Sequence, residues 1–224
     1  MSDTDKKERL VWSAFLRSCE KFPDRPAVEV AGFELSYSQL NQRARRLAAT
    51  IQANVTPGGI PLTAVFAYRS QTAYAGILGA LLAGHGYVPL NPTFPIDRTR
   101  LMLERSKCRS LIVDARSKPQ LEKLLADVSL PLVIICPDQT DTAELGEKLP
   151  KKHRVVGAAE LADADDWSFP HVDDNSIAYL LFTSGSTGQP KGRHGFSTKL
   201  SRNKGVRMRV RKGPVIGHAV YCTG

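Results

Sequence analysis

The chain reads as an α/β fold, a mainly parallel sheet with flanking helices, on three observations. Short apolar runs at Ile60 to Phe66, Leu111 to Val113 and Val133 to Ile135 alternate with stretches of helical periodicity. The clearest helix carries Leu40, Ala44, Leu47, Ala48 and Ile51 at offsets of 4, 7, 8 and 11, one face of a 3.6-residue repeat. A last apolar run, Ile177 to Phe182, breaks off into glycine and hydroxyl residues. Strands separated by helices of this length form β/α units whose crossovers leave the strands parallel.

In chain order, Leu10, Val11, Ala14, Phe15 and Cys19 give a modestly amphipathic first helix, stopped by Phe22-Pro23-Asp24-Arg25-Pro26. Ala27 to Ala31 and Phe33 to Tyr37 flank Gly32 and read as a strand pair. Ser36 with Gln39 three residues on resembles a capping box for the helix that follows. Gly58-Gly59 separates that helix from the buried strand at Ile60 to Phe66. Ser70 is placed to cap a helix carrying Ala73, Ile77, Leu81 and Leu82 and closed by Gly84. A strand at Tyr87 to Leu90, a proline-rich turn and a helix from Ile96 to Arg105 come next. The runs at 111–113 and 133–135 bracket a helix around Leu121, Leu124 and Leu125. From Asp138 to Asp174 the periodicity fades, and Asp163, Asp165 and Asp166 read as a solvated acidic loop. Ile177 to Phe182 is then a buried strand.

Composition narrows the class. A chain of 224 residues, 42% hydrophobic and 24% charged, supports one sizeable core. No apolar run approaches the roughly 20 residues of a membrane helix, and the polar start, Met1 to Glu8, lacks the apolar centre of a signal peptide. Cys19, Cys108, Cys136 and Cys222 are scattered, with no histidines at ligand spacing, so no metal site is expected. Reduced thiols of this kind fit a cytoplasmic location. The net charge of +9 is concentrated: residues 193–224 hold eight Lys and Arg and no acid, which leaves 9 − 8 = +1 for residues 1–192.

The candidate site follows the last strand. Thr183, Ser184, Gly185, Ser186, Thr187, Gly188 and Lys191 form a loop with four hydroxyls, two glycines and a mobile cation. Glycines let the backbone approach an anion closely, and successive free N–H groups make an anion-binding concavity. A polyphosphate suits that set. A Walker A loop does not, because the motif counted from Gly185 needs glycine at 190 and finds Pro190.

The run TSGSTGxPKG resembles the phosphate-binding signature of the adenylate-forming (AMP-binding) superfamily, which includes nonribosomal peptide synthetase adenylation domains, acyl-CoA synthetases and luciferases. Leu35 to Asn41 with Ala44 and Leu47-Ala48 is similar to that family's LTYxELNxxAxxLA box. Leu82 to Pro92 with Pro95, Arg98 and Leu103 is similar to LKAGAAYVPLDPxxPxxRxxxxL, most like the peptide-synthetase branch. His85 stands where that box usually has a small residue, which points to packing. The resemblance implies the N-terminal part of the adenylate-forming fold. It also implies ATP with Mg2+, a carboxylate substrate, and coenzyme A or a carrier-protein thiol as acceptor. Thr183 to Gly188 would hold the departing pyrophosphate and Lys191 would offset its charge.

The likeness ends at Gly192. The family continues with Val and then His, whereas Arg193-His194-Gly195-Phe196 follows here, with His194 about three positions early. Residues 1–192 are accordingly assigned to the N-terminal portion of an adenylation domain, and 193–224 to a divergent basic tail expected to be irregular. The magnesium-holding YGxTE segment, the ribose-gripping Asp and the C-terminal lysine of the family are not found in these residues. A truncated, catalytically incomplete fragment that keeps its phosphate loop is the expectation. A non-catalytic phosphate-binding or interaction module is the alternative. A nucleic-acid arm would rest on the tail alone, which offers only Phe196 and Tyr221 for stacking.

Overall fold

The computed structural model describes residues 10–56, 58–172, 175–184, 190–196, 207–208 and 222–223. It opens with helix α1 (Ser13–Lys21) and a hairpin of β1 (Pro26–Val30) and β2 (Phe33–Ser36). The hairpin turns through Ala31 and Gly32, both at positive φ, the backbone that matches strand twist in a two-residue turn. Helix α2 (Tyr37–Asn54) starts on the expected capping box: the Gln39 N–H donates to Ser36 Oγ, and the Ser36 N–H to Gln39 Oε1.

The main sheet has seven strands: β3 (Leu62–Phe66), β4 (Gly86–Leu90), β5 (Ser110–Val113), β6 (Val133–Cys136), β7 (Arg154–Gly157), β8 (Ile177–Ser184) and β9 (Pro190–Phe196). Their spatial order is β7-β6-β5-β3-β4-β8-β9, parallel throughout except for the antiparallel β8–β9 pair. The helices between strands are α3 (Gln71–Leu82), α4 (Ile96–Ser106), α5 (Leu121–Leu125) and α6 (Ala143–Lys148). Every residue of β3 and of β5 is buried, as expected where helices cover both faces of a parallel sheet.

Alternation along the strands sorts the core into two layers. Val65, Ile112, Ile135 and Val156 pack with Leu47, Ile51 and Leu81 of α2 and α3 on one face. Ala64, Phe66, Leu111 and Ile134 pack with Leu103 and Leu124 of α4 and α5 on the other. Helices α2 and α3 approach closely at Gly79, where an added Cβ would stand 2.8 Å from Leu47 Cβ and 3.1 Å from the Ala44 carbonyl oxygen. Ser70 caps α3 through the Ala73 N–H.

Between β7 and β8 the chain runs over the α2–α3 layer as a strap. Arg46 donates to the carbonyls of Leu161 and Ala162, and the Ala162 N–H donates to Thr50 Oγ1. Gln52 and Ser168 exchange two hydrogen bonds, and the Trp167 indole N–H donates to the Leu82 carbonyl. Asp163, Asp165 and Asp166 form a short 3-10 turn in this strap, closed by the Asp163 N–H on the Asp166 carboxylate.

Three expectations need correction. Strand β7 and helix α6 lie in the stretch that showed no periodicity, each carried by only a few apolar groups such as Val156, Leu145 and Leu149. The segment 177–182 is a strand, but only Ala178 is fully buried and the rest are half-buried, because it lies towards the β9 edge of the sheet. Residues 193–196, expected to be irregular, complete β9, with Leu181 paired to Arg193 and Tyr179 to Gly195. Strand pairing meets the backbone hydrogen-bonding demand that composition alone does not reveal. Further along, Arg207–Met208 pairs with Cys222–Thr223 as two short antiparallel strands, β10 and β11. The remaining tail lies outside the described residues.

Candidate functional site

Three of the phosphate-loop candidates, Thr183, Ser184 and Lys191, lie at one end of the β8–β9 pair. Thr183 and Ser184 close β8, Lys191 lies near the start of β9, and the register pairs Thr183 with Lys191 and Ser184 with Pro190. The hairpin therefore brings both ends of the sequence motif together. Gly185, Ser186, Thr187 and Gly188 lie outside the described residues. The Thr183 side chain is exposed.

Strand β8 runs parallel to β4, with Tyr87 beside Tyr179. Its C-terminal end therefore opens on the edge where β3, β4, β5 and β6 also end, the side on which open α/β sheets hold ligands. Glycines shape the stem. A Cβ on Gly195 would lie 2.5–2.7 Å from the Tyr179 ring, and one on Gly192 3.1 Å from Leu180 Cδ1.

Two carboxylates organise the same edge, and the sequence reading missed both. Asp114, buried after β5, accepts from the Tyr68 N–H at 3.0 Å and the Ser117 N–H at 2.9 Å, tying the ends of β3 and β5 together. Asp138, after β6, accepts from the Thr72 hydroxyl and the Ala115 N–H. The sequence reading missed them because the bonds that tie strands together, Tyr68 N–H to Asp114 and Thr72 hydroxyl to Asp138, join groups distant in sequence. Asn91, just after β4, accepts from both the N–H and the hydroxyl of Thr93.

Nucleophilic thiol chemistry does not fit Cys19, Cys108 or Cys136. Burial pushes Cys19 up to about 11, and Cys108 and Cys136 to about 12, whereas reactive thiols have lowered values. His85 lies at the opposite edge, before β4. Its Nδ1 is 2.9 Å from Thr63 Oγ1, which is 2.8 Å from Ser110 Oγ. Burial, aided by nearby Arg109, lowers its pKa to about 4. That is a packing role, as the sequence suggested.

The family model described as AMP-binding enzyme matches residues 15–195. The chain belongs to the AMP-binding enzyme family. Tyrocidine synthase 3 of Brevibacillus parabrevis is 33% identical over 187 residues, 83% of this chain. Surfactin synthase subunit 3 of Bacillus subtilis is 33% identical over 170 residues, 76% of this chain. Among solved structures, IdnL7 aligns over 89% of this chain with 31% identity and a TM-score of 0.72. The Vibrio cholerae adenylation domain AlmE, solved with glycyl-adenosine-5'-phosphate, aligns over 84% with 25% identity and a TM-score of 0.71.

The chain spans 2% of tyrocidine synthase 3, 12% of surfactin synthase subunit 3, 37% of IdnL7 and 35% of AlmE. Its α/β sheet thus corresponds to the N-terminal portion of the adenylate-forming fold. The match reaches residue 195, three residues past the point where the sequence motifs part from the family pattern.

Proposed function

We propose that these residues form the polyphosphate-gripping part of an adenylate-forming ligase, which joins a carboxylate to ATP as an acyl-adenylate and releases pyrophosphate. The β8–β9 hairpin carries this reading, because it gathers Thr183, Ser184 and Lys191 at the mouth of a glycine-hydroxyl loop on the ligand-binding edge. In the proposed role the loop hydroxyls and amides hold the β and γ phosphates, and Lys191 offsets charge that grows on the departing pyrophosphate. The peptide-synthetase relatives and the glycyl-adenylate in AlmE favour an amino acid as the carboxylate, and a carrier-protein thiol as the acceptor.

The described residues contain no group of three or more His, Cys, Asp or Glu side chains able to hold a metal ion. Mg2+ is commonly held by one or two carboxylates together with substrate phosphates and water; the family's magnesium-holding YGxTE segment is not found in these 224 residues, and no step is assigned to the ion. In-line attack on the α-phosphate needs several converging groups, and the family's other motifs are not found in these 224 residues. The isolated chain is accordingly read as a phosphate binder that is catalytically incomplete. No helix among the described residues is long and apolar enough to cross a membrane. The cytoplasmic reading rests on the free thiols of Cys19, Cys108 and Cys136.

The test pairs binding with turnover. Calorimetry should show pyrophosphate and ATP binding that Lys191→Ala weakens about tenfold or more, and no carboxylate-dependent ATP–pyrophosphate exchange. Absence of pyrophosphate binding sinks the loop assignment. Exchange abolished by Lys191→Ala refutes only the incompleteness, whereas exchange indifferent to that substitution refutes both.

A further inference from the structure

The edge at which the parallel strands begin, opposite the phosphate loop, is a row held by backbone bonds. The Gly86 N–H donates to the Pro61 carbonyl, the Arg109 N–H to Leu62, the Val133 N–H to Arg109 and the Arg154 N–H to Leu132. Arg109, before β5, and Arg154, at the start of β7, flank β6. Strands lie about 4.8 Å apart, so the two arginines stand about 10 Å from one another along the row.

Among the described residues, five cations gather there. Lys107 and Arg109 lead into β5, and Lys151, Lys152 and Arg154 lead into β7. Arg109 donates to the Gly58 carbonyl at 2.9 Å. None of the five makes an ion pair with a described residue. Acids close by are engaged with other groups, Asp127 with Arg100 and Glu104 with the Ser129 hydroxyl. Both histidines of the row have lowered pKa values, through burial first and then through a neighbouring cation, Arg109 for His85 and Lys152 for His153. Positive potential therefore accumulates along the row without an internal counter-charge.

A short acidic stretch of polypeptide matches it. Three residues of extended chain cover about 10 Å, the span from Arg109 to Arg154. Longer polyanions match less well. Binding of single-stranded nucleic acid relies on aromatic platforms, whereas the exposed apolar side chain beside the Arg109–Gly58 bond is Ile60, an aliphatic. Glu104 and Glu147, on the helices of the α4–α6 face, border the row and oppose a nucleic acid or an anionic membrane that spreads beyond it. We propose that this edge of the sheet docks a short acidic segment of a partner protein, whose carboxylates meet Arg109, Lys152 and Arg154 and whose aliphatic side chain rests on Ile60. The proposal does not depend on the phosphate-loop reading.

The test is an NMR titration of the 15N-labelled full chain with an acetylated Glu-Glu-Leu-Glu-Glu peptide, its Gln-Gln-Leu-Gln-Gln counterpart, an oligothymidylate and phosphatidylserine vesicles. The acidic peptide should give saturable, salt-sensitive shifts at the amides of Arg109, His153 and Arg154, and the glutamine peptide none. The triple variant Lys151→Ala, Lys152→Ala, Arg154→Ala should weaken the affinity read at the Arg109 amide about tenfold or more. These three side chains are exposed, so the variant should fold normally. It also separates the row from residues 193–224, which hold eight Lys and Arg. Absence of saturable shifts, shifts confined to residues 193–224, or an affinity unchanged in the triple variant overturns the proposal. So does equal binding of the glutamine peptide, or tighter binding of the oligothymidylate or the vesicles at the row, which would assign it to another polyanion.

Discussion

Acidification should weaken this fold through His85. Its neutral imidazole is locked to Thr63, and through Thr63 to Ser110, while Arg109 opposes a second positive charge. The folded pKa is about 4 against 6.5 for the free side chain, a gap of 6.5 − 4 = 2.5 pH units. Between those values the unfolded chain binds a proton that the folded chain refuses. Stability is thus unaffected above pH 6.5, falls as pH drops towards 4, and levels off below that. The full gap corresponds to roughly 3 kcal/mol at about 1.4 kcal/mol per pH unit. His85 is only half-buried, and solvent screening brings the expected loss to about 1–3 kcal/mol. Urea unfolding at pH 7 and pH 4.5 measures it, with His85→Gln as the reference that keeps a polar group but does not titrate. Carboxylates elsewhere contribute equally to both proteins and cancel in the difference. Parallel pH dependences in the two proteins would refute the reasoning, as would an NMR titration of the imidazole centred near 6.5.

Two further substitutions test the packing around α2. Gly79→Val should cost about 1–3 kcal/mol, because its Cβ meets Leu47 Cβ at 2.8 Å and the Ala44 carbonyl at 3.1 Å and forces the two helices apart; an unchanged urea midpoint would show that α2 and α3 are not in contact there. Ser36→Ala removes the acceptor for the Gln39 N–H and should cost about 1 kcal/mol, read as a lowered thermal midpoint, and no change would mean the capping box is not formed in solution.

What the sequence disclosed and what it withheld divides along local and distant interactions. The capping box at Ser36 and Gln39, the apolar face from Leu40 to Ile51 and the Ser70 cap are each written within a few residues, and the structure repeats them. Strands β3, β5 and β6 showed as apolar runs because both faces are covered. Strand β7 did not, since four residues with Val155 and Val156 give too short a pattern. Strand β9 looked like the start of an irregular tail because Arg193 to Gly195 has no strand-like composition; its order comes from β8. The phosphate motif was legible as a contiguous string. Asp114 and Asp138 were not, because their partners include groups far away in sequence, the Tyr68 N–H for Asp114 and the Thr72 hydroxyl for Asp138.

The position of β8 beside β4 also sets an order of events. Tyr179 must find Tyr87 across 179 − 87 = 92 residues, after β5, β6 and β7 have been placed on the far side of β3. Contacts so remote in sequence pay their loop-closure entropy late, and topologies rich in them fold slowly. During synthesis the slot along β4 stays open until three later strands have emerged, and that bare edge is available to any other extended chain. The hairpin that carries the phosphate motif therefore emerges after the other five described strands of the sheet. A nascent chain acquires its core before it acquires its ligand loop.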